Sequence, residues 1–203
     1  KAMMAMAKLL VDKGDAAGAQ ARYDQVIAAE PQATYALIAS GDLAQRETDY
    51  RLAKQRFEQA LQLTPGDLSL QFKLIDVSLA LGDTGGAEAI AAAIRKTDPL
   101  SARLVVAEGD VAKAKLLEVS VARDALRTTP KPNAADETQL AALGQQIEAL
   151  YAVAVARYEA ALKNAPSIDL SVKLAEVYLL GGKLTEAERE LQAVLARSPY
   201  RAD

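Results

Sequence analysis

Residues 31–65 read PQATYALIASGDLAQRETDYRLAKQRFEQALQLTP. Two prolines 34 residues apart bracket this stretch. Inside it, Leu37, Gly41 and Ala44 recur at helical spacing, and Thr48-Asp49 then breaks the pattern. Ala53, Phe57 and Ala60 follow at intervals of four and three, which keeps them on one face of a second helix. Pro65 stops that helix, because proline has no N–H and clashes with the preceding turn. The stretch therefore predicts two amphipathic helices joined by a turn.

The same arrangement extends in both directions. Pro31, Pro65, Pro99, Pro166 and Pro199 are separated by 34, 34, 67 and 33 residues. Twelve residues before each stands an alanine: Ala19, Ala53, Ala87, Ala154 and Ala187. Four residues after each alanine comes Tyr23, Phe57, Ala91, Tyr158 or Leu191, and three further on comes Val26, Ala60, Ile94, Ala161 or Val194. Turns precede the alanines at Gly14-Asp15, Gly82-Asp83 and Gly182-Lys183, while the fourth unit has Ala149-Leu150 there, which is no turn. Ala7, Gly41 and Ala175 are small enough to let two helices meet closely. A generic Ala-rich bundle has no reason to keep a 34-residue phase, so the period indicates a repeat architecture.

The pattern resembles the tetratricopeptide repeat, a helix–turn–helix unit of about 34 residues with the signature W-x2-L-G-x2-Y…A-x3-F…P. Nearly the whole chain is covered. No unit carries the family's Trp. The third has Ile75 where a small residue belongs and Ala91 in place of the aromatic. The resemblance implies an all-α, right-handed α-α superhelix of about five repeats, the fourth with elongated helices. It forms one domain over 1–203, with repeats at approximately 1–33, 34–67, 68–100, 101–167 and 168–201. The chain begins at Lys1 and its ends carry no solvating helix, so it is expected to be excised from a longer protein, with both ends open to a neighbour.

The 67-residue interval has two readings, a pair of degenerate repeats or one repeat with long helices. Leu104, Ala107, Val111, Ala114, Leu117, Val121 and Ala125 form one continuous helical stripe. A turn at Gly109-Asp110 would leave too short a first helix. Thr128-Thr129-Pro130-Lys131-Pro132-Asn133 reads as a loop, after which Asp136 or Thr138 is expected to cap the next helix. The favoured reading is two antiparallel helices joined at Thr128–Asp136, each extended by ~13 residues, or ~20 Å at 1.5 Å per residue.

Composition excludes several functions. Of 203 residues, 43 are Ala and 28 Leu, a helix-forming mixture, and only 4% are aromatic. With no Cys and no His there is no disulfide, no thiol nucleophile, no zinc site of the usual kind and no His-based triad. Net charge −3 gives no basic footprint for nucleic acid, and charges interrupt every apolar stretch before the length of a membrane span. Gly82-Asp83-Thr84-Gly85-Gly86 lacks GK[ST] and follows no strand, so it reads as a turn rather than a phosphate loop. No catalytic residue, metal ligand or cofactor is expected, and the chain is read as a non-enzyme. Lack of Cys suits a bacterial cytoplasm and a periplasm equally.

The family resemblance implies a groove lined by the first helix of each unit. The residues that fall on it are Met4 and Lys8 in the first unit and Tyr35, Ile38, Asp42 and Arg46 in the second. They are Phe72, Asp76 and Leu79 in the third, and Val172, Glu176 and Leu179 in the fifth. This lining reads as apolar with scattered acids, suited to an apolar or amphipathic peptide with a basic residue or two. Co-chaperones of the family grip a C-terminal carboxylate with Lys, Asn and Arg. The corresponding places here are Met4, Lys8, Ala39, Ser69 and Lys73, with no Asn, so that clamp is not expected.

The function expected is a protein–protein interaction scaffold or adaptor. Two alternatives stand beside it: a structural module of a bacterial envelope secretion, export or pilus-type assembly, with self-association through the ends, and a regulatory segment of a larger enzyme. Because Ile38 and Phe72 are outside the repeat signature, changing both to Glu is expected to leave helicity intact while abolishing capture of a partner.

Overall fold

A computed structural model describes residues 2–128 and 133–197. The described residues form ten helices: α1 Ala2–Asp12, α2 Ala16–Ala29, α3 Thr34–Arg46, α4 Tyr50–Leu63, α5 Leu68–Ala80, α6 Thr84–Thr97, α7 Ala102–Arg127, α8 Ala134–Asn164, α9 Ile168–Leu180 and α10 Leu184–Arg197. The prolines at 130, 132 and 199 lie outside the described residues. The chain divides into two compact units, Lys1–Ile94 and Arg95–Asp203, with the division inside α6.

In the first unit α1 packs on α2, α2 on α3, α3 on α4 and α4 on α5. The turn between paired helices recurs with the same chemistry. Asp15, Asp49 and Asp83 each cap the following helix by accepting a hydrogen bond from the backbone N–H three residues on, at Gly18, Leu52 and Gly86. The backbone N–H of Asp15, Asp49 and Asp83 donates to Leu10, Ala44 and Ser78, at 2.9, 2.8 and 2.8 Å. The residue before the cap is left-handed: Gly14 at φ 78°, Gly82 at φ 74°, and Thr48 at φ 61° without glycine's freedom. The Gly-rich segment 82–86 is one of these turns.

Hairpin closure depends on a small residue facing a ring. A Cβ on Gly41 would stand 2.5 Å from Cε1 of Phe57, and Phe57 is fully buried. Leu37, Ala44, Ala53, Ala60, Leu70, Leu74 and Val77 complete that cluster. In the third repeat the bulk is exchanged: Ile75 on α5 and Ala91 on α6 are both buried. The departure from the family pattern at these two positions is a swap of large for small.

The second unit is built around α7 and α8, of 26 and 31 residues, against 13 and 14 in α3 and α4. α7 runs through Gly109 unbroken, because Gly109 faces a ring: its Cβ would meet Cε1 of Tyr158 at 2.9 Å. Asn133, rather than Asp136 or Thr138, caps α8. Its side chain accepts from the N–H of Ala135 and Asp136 at 2.8 and 3.1 Å, and Asp136 accepts in return from the N–H of Asn133 at 2.8 Å. Thr138 instead donates to the carbonyl of Ala134. α8 packs on α9 and α9 on α10, with Gly182 at φ 69° in the turn. The core joins Leu116, Ile147, Ala154 and Tyr158 to Leu174, Val177 and Ala187.

Candidate functional site

Five residues expected on the groove line one cleft of the first unit. Met4 and Lys8 of α1 face Tyr35, Ile38, Ala39 and Asp42 of α3 across a cavity of about 640 Å³. A second cavity of about 580 Å³ shares Ala39 and Asp42 and continues along Gln45 and Arg46 to Tyr23 and Lys73. Residues 35, 38, 42 and 46 lie one turn apart, so a single helix presents all four. Their neighbours Leu37, Gly41 and Ala44 point into the core and fix the rotation of α3.

The electrostatics of this surface are asymmetric. Lys73 Nζ meets Asp42 Oδ1 at 2.5 Å and lies 5.5 Å from the centre of the Phe57 ring. Asp42 is thereby neutralised. Tyr35 is 52% exposed, and its hydroxyl donates to Glu30 Oε2 at 3.2 Å. Tyr23 is only 4% exposed; burial pushes its phenol up, and the Arg46 charge opposes that shift.

Phe72 departs from expectation. It is 5% exposed and belongs to the buried set of α5, with Leu70, Leu74, Ile75, Val77 and Ser78. α5 is apolar around most of its circumference, so a residue at a groove register is still drawn from water. Asp76 is exposed and Leu79 partly buried. Tyr23 and Gln45 are cleft residues that the sequence reading did not place on the groove, and Lys73, read there only as a clamp-equivalent position, lines the second cavity. Tyr23 belongs to the packing signature, and the ion pair that brings Lys73 to Asp42 joins residues 31 apart.

In the second unit Val172 is partly buried, Leu179 is half exposed, and Glu176 Oε2 holds Lys113 Nζ at 2.6 Å. Lys173 Nζ reaches Asp110 Oδ1 at 3.0 Å, and the Tyr158 hydroxyl donates to the same oxygen at 2.7 Å. Two ion pairs thus cross from α7 to α9. Deeper, the Glu108 carboxylate, 8% exposed, takes both Arg95 and Arg157, the latter at 2.9 Å. Such an arrangement compensates a buried charge and needs no catalytic role. The acids expected to attract a basic peptide are therefore already engaged at Asp42 and Glu176.

Among the described residues no group of three or more His, Cys, Asp or Glu is placed to hold a metal ion, and no helix is long and apolar enough to cross a membrane.

Comparison with known proteins agrees with this geometry. Tetratricopeptide-repeat models match residues 37–107 and, separately, 4–44 and 149–202. The chain belongs to the tetratricopeptide-repeat family, an all-α class whose fold is a protein–protein interaction module. No curated protein matches it in sequence. Among solved structures it is similar to MamA, residues 41 to the end, from Desulfovibrio magneticus RS-1, with TM-score 0.70 at 13% identity over 99% of this chain and 96% of that one. It is similar also to YrrB, described as a tetratricopeptide-repeat protein with an unusual peptide-binding site: TM-score 0.60, 16% identity, 98% of this chain and 86% of that one. A tetratricopeptide-repeat protein from Parabacteroides merdae ATCC 43184 gives 0.57 at 16% identity, covering 96% and 78%.

Proposed function

We propose that the chain is an interaction scaffold that takes a linear segment of a partner protein on the cleft surface of its first unit. The observation that carries this is the convergence of Met4, Lys8, Tyr35, Ile38 and Asp42 on one cavity, continued to Arg46 by the next. Pre-formed helices hold this surface, so binding costs little ordering on the scaffold's side, and apolar burial at Met4, Ile38 and Tyr35 supplies the gain. The peptide-binding site of YrrB, a protein of similar fold, supports the reading. Affinity is expected on the order of micromolar for a short segment. Immobilised protein should capture a partner from bacterial lysate, and Ile38→Glu should lose it with an unchanged far-UV circular dichroism spectrum. Equal capture by both forms would exclude the cleft.

A second reading rests on a different observation. Met3, Met6 and Leu9 on α1, and Leu184, Leu191 and Leu195 on α10, are exposed apolar rows. They would suit self-association within a bacterial envelope assembly of the secretion, export or pilus type. Light-scattering mass across a hundredfold dilution decides it: a constant monomer mass removes this reading.

A further inference from the structure

We infer that the segment taken by this surface is acidic as well as apolar, with Asp or Glu side chains placed around large apolar residues. The inference rests on the peptide-binding reading above and reverses the basic peptide expected from sequence. The two clefts together present three cations, Lys8, Arg46 and Lys73, against the single carboxylate of Asp42. Lys73 is spent on Asp42. Lys8 and Arg46 form no ion pair and no side-chain hydrogen bond with any described residue. Asp12 is near enough to act on the Tyr23 phenol and Glu30 accepts from the Tyr35 hydroxyl, but neither carboxylate lines a cleft. The lining of the two clefts is thus net positive on a chain whose net charge is −3.

The placement of these charges defines the ligand. Lys8 lies one helical turn beyond Met4 on α1, and Arg46 lies two turns beyond Ile38 on α3. Apolar contacts and free cations therefore alternate along the surface. A segment with internal carboxylates meets both, whereas a basic segment meets unpaired Lys8 and Arg46 and finds Asp42 occupied. The charges recognised are side-chain carboxylates within the segment. No Asn accompanies the two cations to fix a terminal carboxylate.

The test uses the full chain and fluorescein-labelled, C-amidated peptides of one length, with Leu at fixed helical spacing and Glu, Gln or Lys at every other position. Fluorescence anisotropy at low salt should rank them Glu, Gln, Lys, with about tenfold between the first and last, since two exposed charge contacts change sign. Lys8→Gln with Arg46→Gln should weaken the Glu peptide by roughly fivefold and leave the Gln peptide within about twofold. Both positions are exposed, so thermal unfolding should be unchanged. A Lys peptide that binds best, or a Glu peptide indifferent to the double substitution, overturns the inference. If its binding is still lost in Ile38→Glu, the cleft reading survives. A Gln peptide with a free C-terminus that matches the amidated Glu peptide also overturns it, in favour of terminal-carboxylate recognition. If no peptide binds, the inference and the cleft reading fall together.

Discussion

The two units close their hairpins in the same way and treat their surfaces differently. In the first, Gly41 faces the Phe57 ring; in the second, Gly109 faces the Tyr158 ring. Around the first contact, Lys73–Asp42 joins α5 to α3, and short helices leave clefts lined by Lys8 and Arg46, which have no ion-pair partner among the described residues. Around the second, helices of about double length carry Lys113–Glu176 and Lys173–Asp110 from α7 to α9. The difference teaches that the repeat signature governs contact between paired helices and little else. It requires complementary volume at one level of the hairpin. Helix length beyond that level, and the charges on the outer face, are free to vary.

The sharpest way to break this comparison is to remove the two rings. Phe57→Ala and Tyr158→Ala should each cost about 3–5 kcal/mol in urea unfolding, because both rings are fully buried. A much smaller cost at Tyr158 would mean that the long helices hold the second unit without the signature contact.

Next come two substitutions at groove register. Phe72→Glu should destabilise by about 3–4 kcal/mol, since it places a carboxylate in a buried site. Ile38→Glu, at a partly buried position lining the cleft, should cost about 1 kcal/mol and act on binding instead. The double substitution expected to leave helicity intact thus divides: its destabilisation is expected from Phe72 and its effect on binding from Ile38. Equal thermal shifts in the two single variants would return Phe72 to the surface.

Alkaline pH sharpens the contrast through Tyr158. Burial, and then the Asp110 charge, push its phenol far above the ordinary 10.0. Its folded form holds the proton more tightly than the unfolded chain, so the stability it confers is complete below pH 10 and declines as pH rises beyond it. Thermal unfolding of the native chain should fall between pH 9.5 and 11.5, and Tyr158→Phe should flatten that fall. An identical slope in the variant would exclude Tyr158 as its source.

The turns offer a smaller effect of opposite sign. Thr48 holds φ 61° where the equivalent turns use glycine. Thr48→Gly should stabilise by about 0.5–1 kcal/mol, because a β-branched residue is strained there. A loss of stability would show that the Thr side chain contributes more than its backbone costs. Smallest is the α7–α9 pair: Lys113→Ala should cost about 0.2–1 kcal/mol, as exposed pairs do.

The sequence by itself determined the period, the hairpin pairing and the turns, because these depend on spacing and on backbone chemistry within a few residues. Ala53, Phe57, Ala60 and Pro65 suffice to orient one helix, and an Asp after a left-handed residue suffices to start the next. The length of α7 was favoured but left open, because Gly109-Asp110 also allowed a turn, and the Tyr158 ring against Gly109 decided it. Tertiary structure alone decided which side chains on the outer face are free. Phe72 holds a groove register and is buried, because exposure depends on what other helices cover. Asp42 and Glu176 appeared as acids available to a ligand, but lysines 31 and 63 residues away neutralise them. A charge is known from the residue, while its availability is set by the nearest opposite charge, and folding brings that charge from far along the chain.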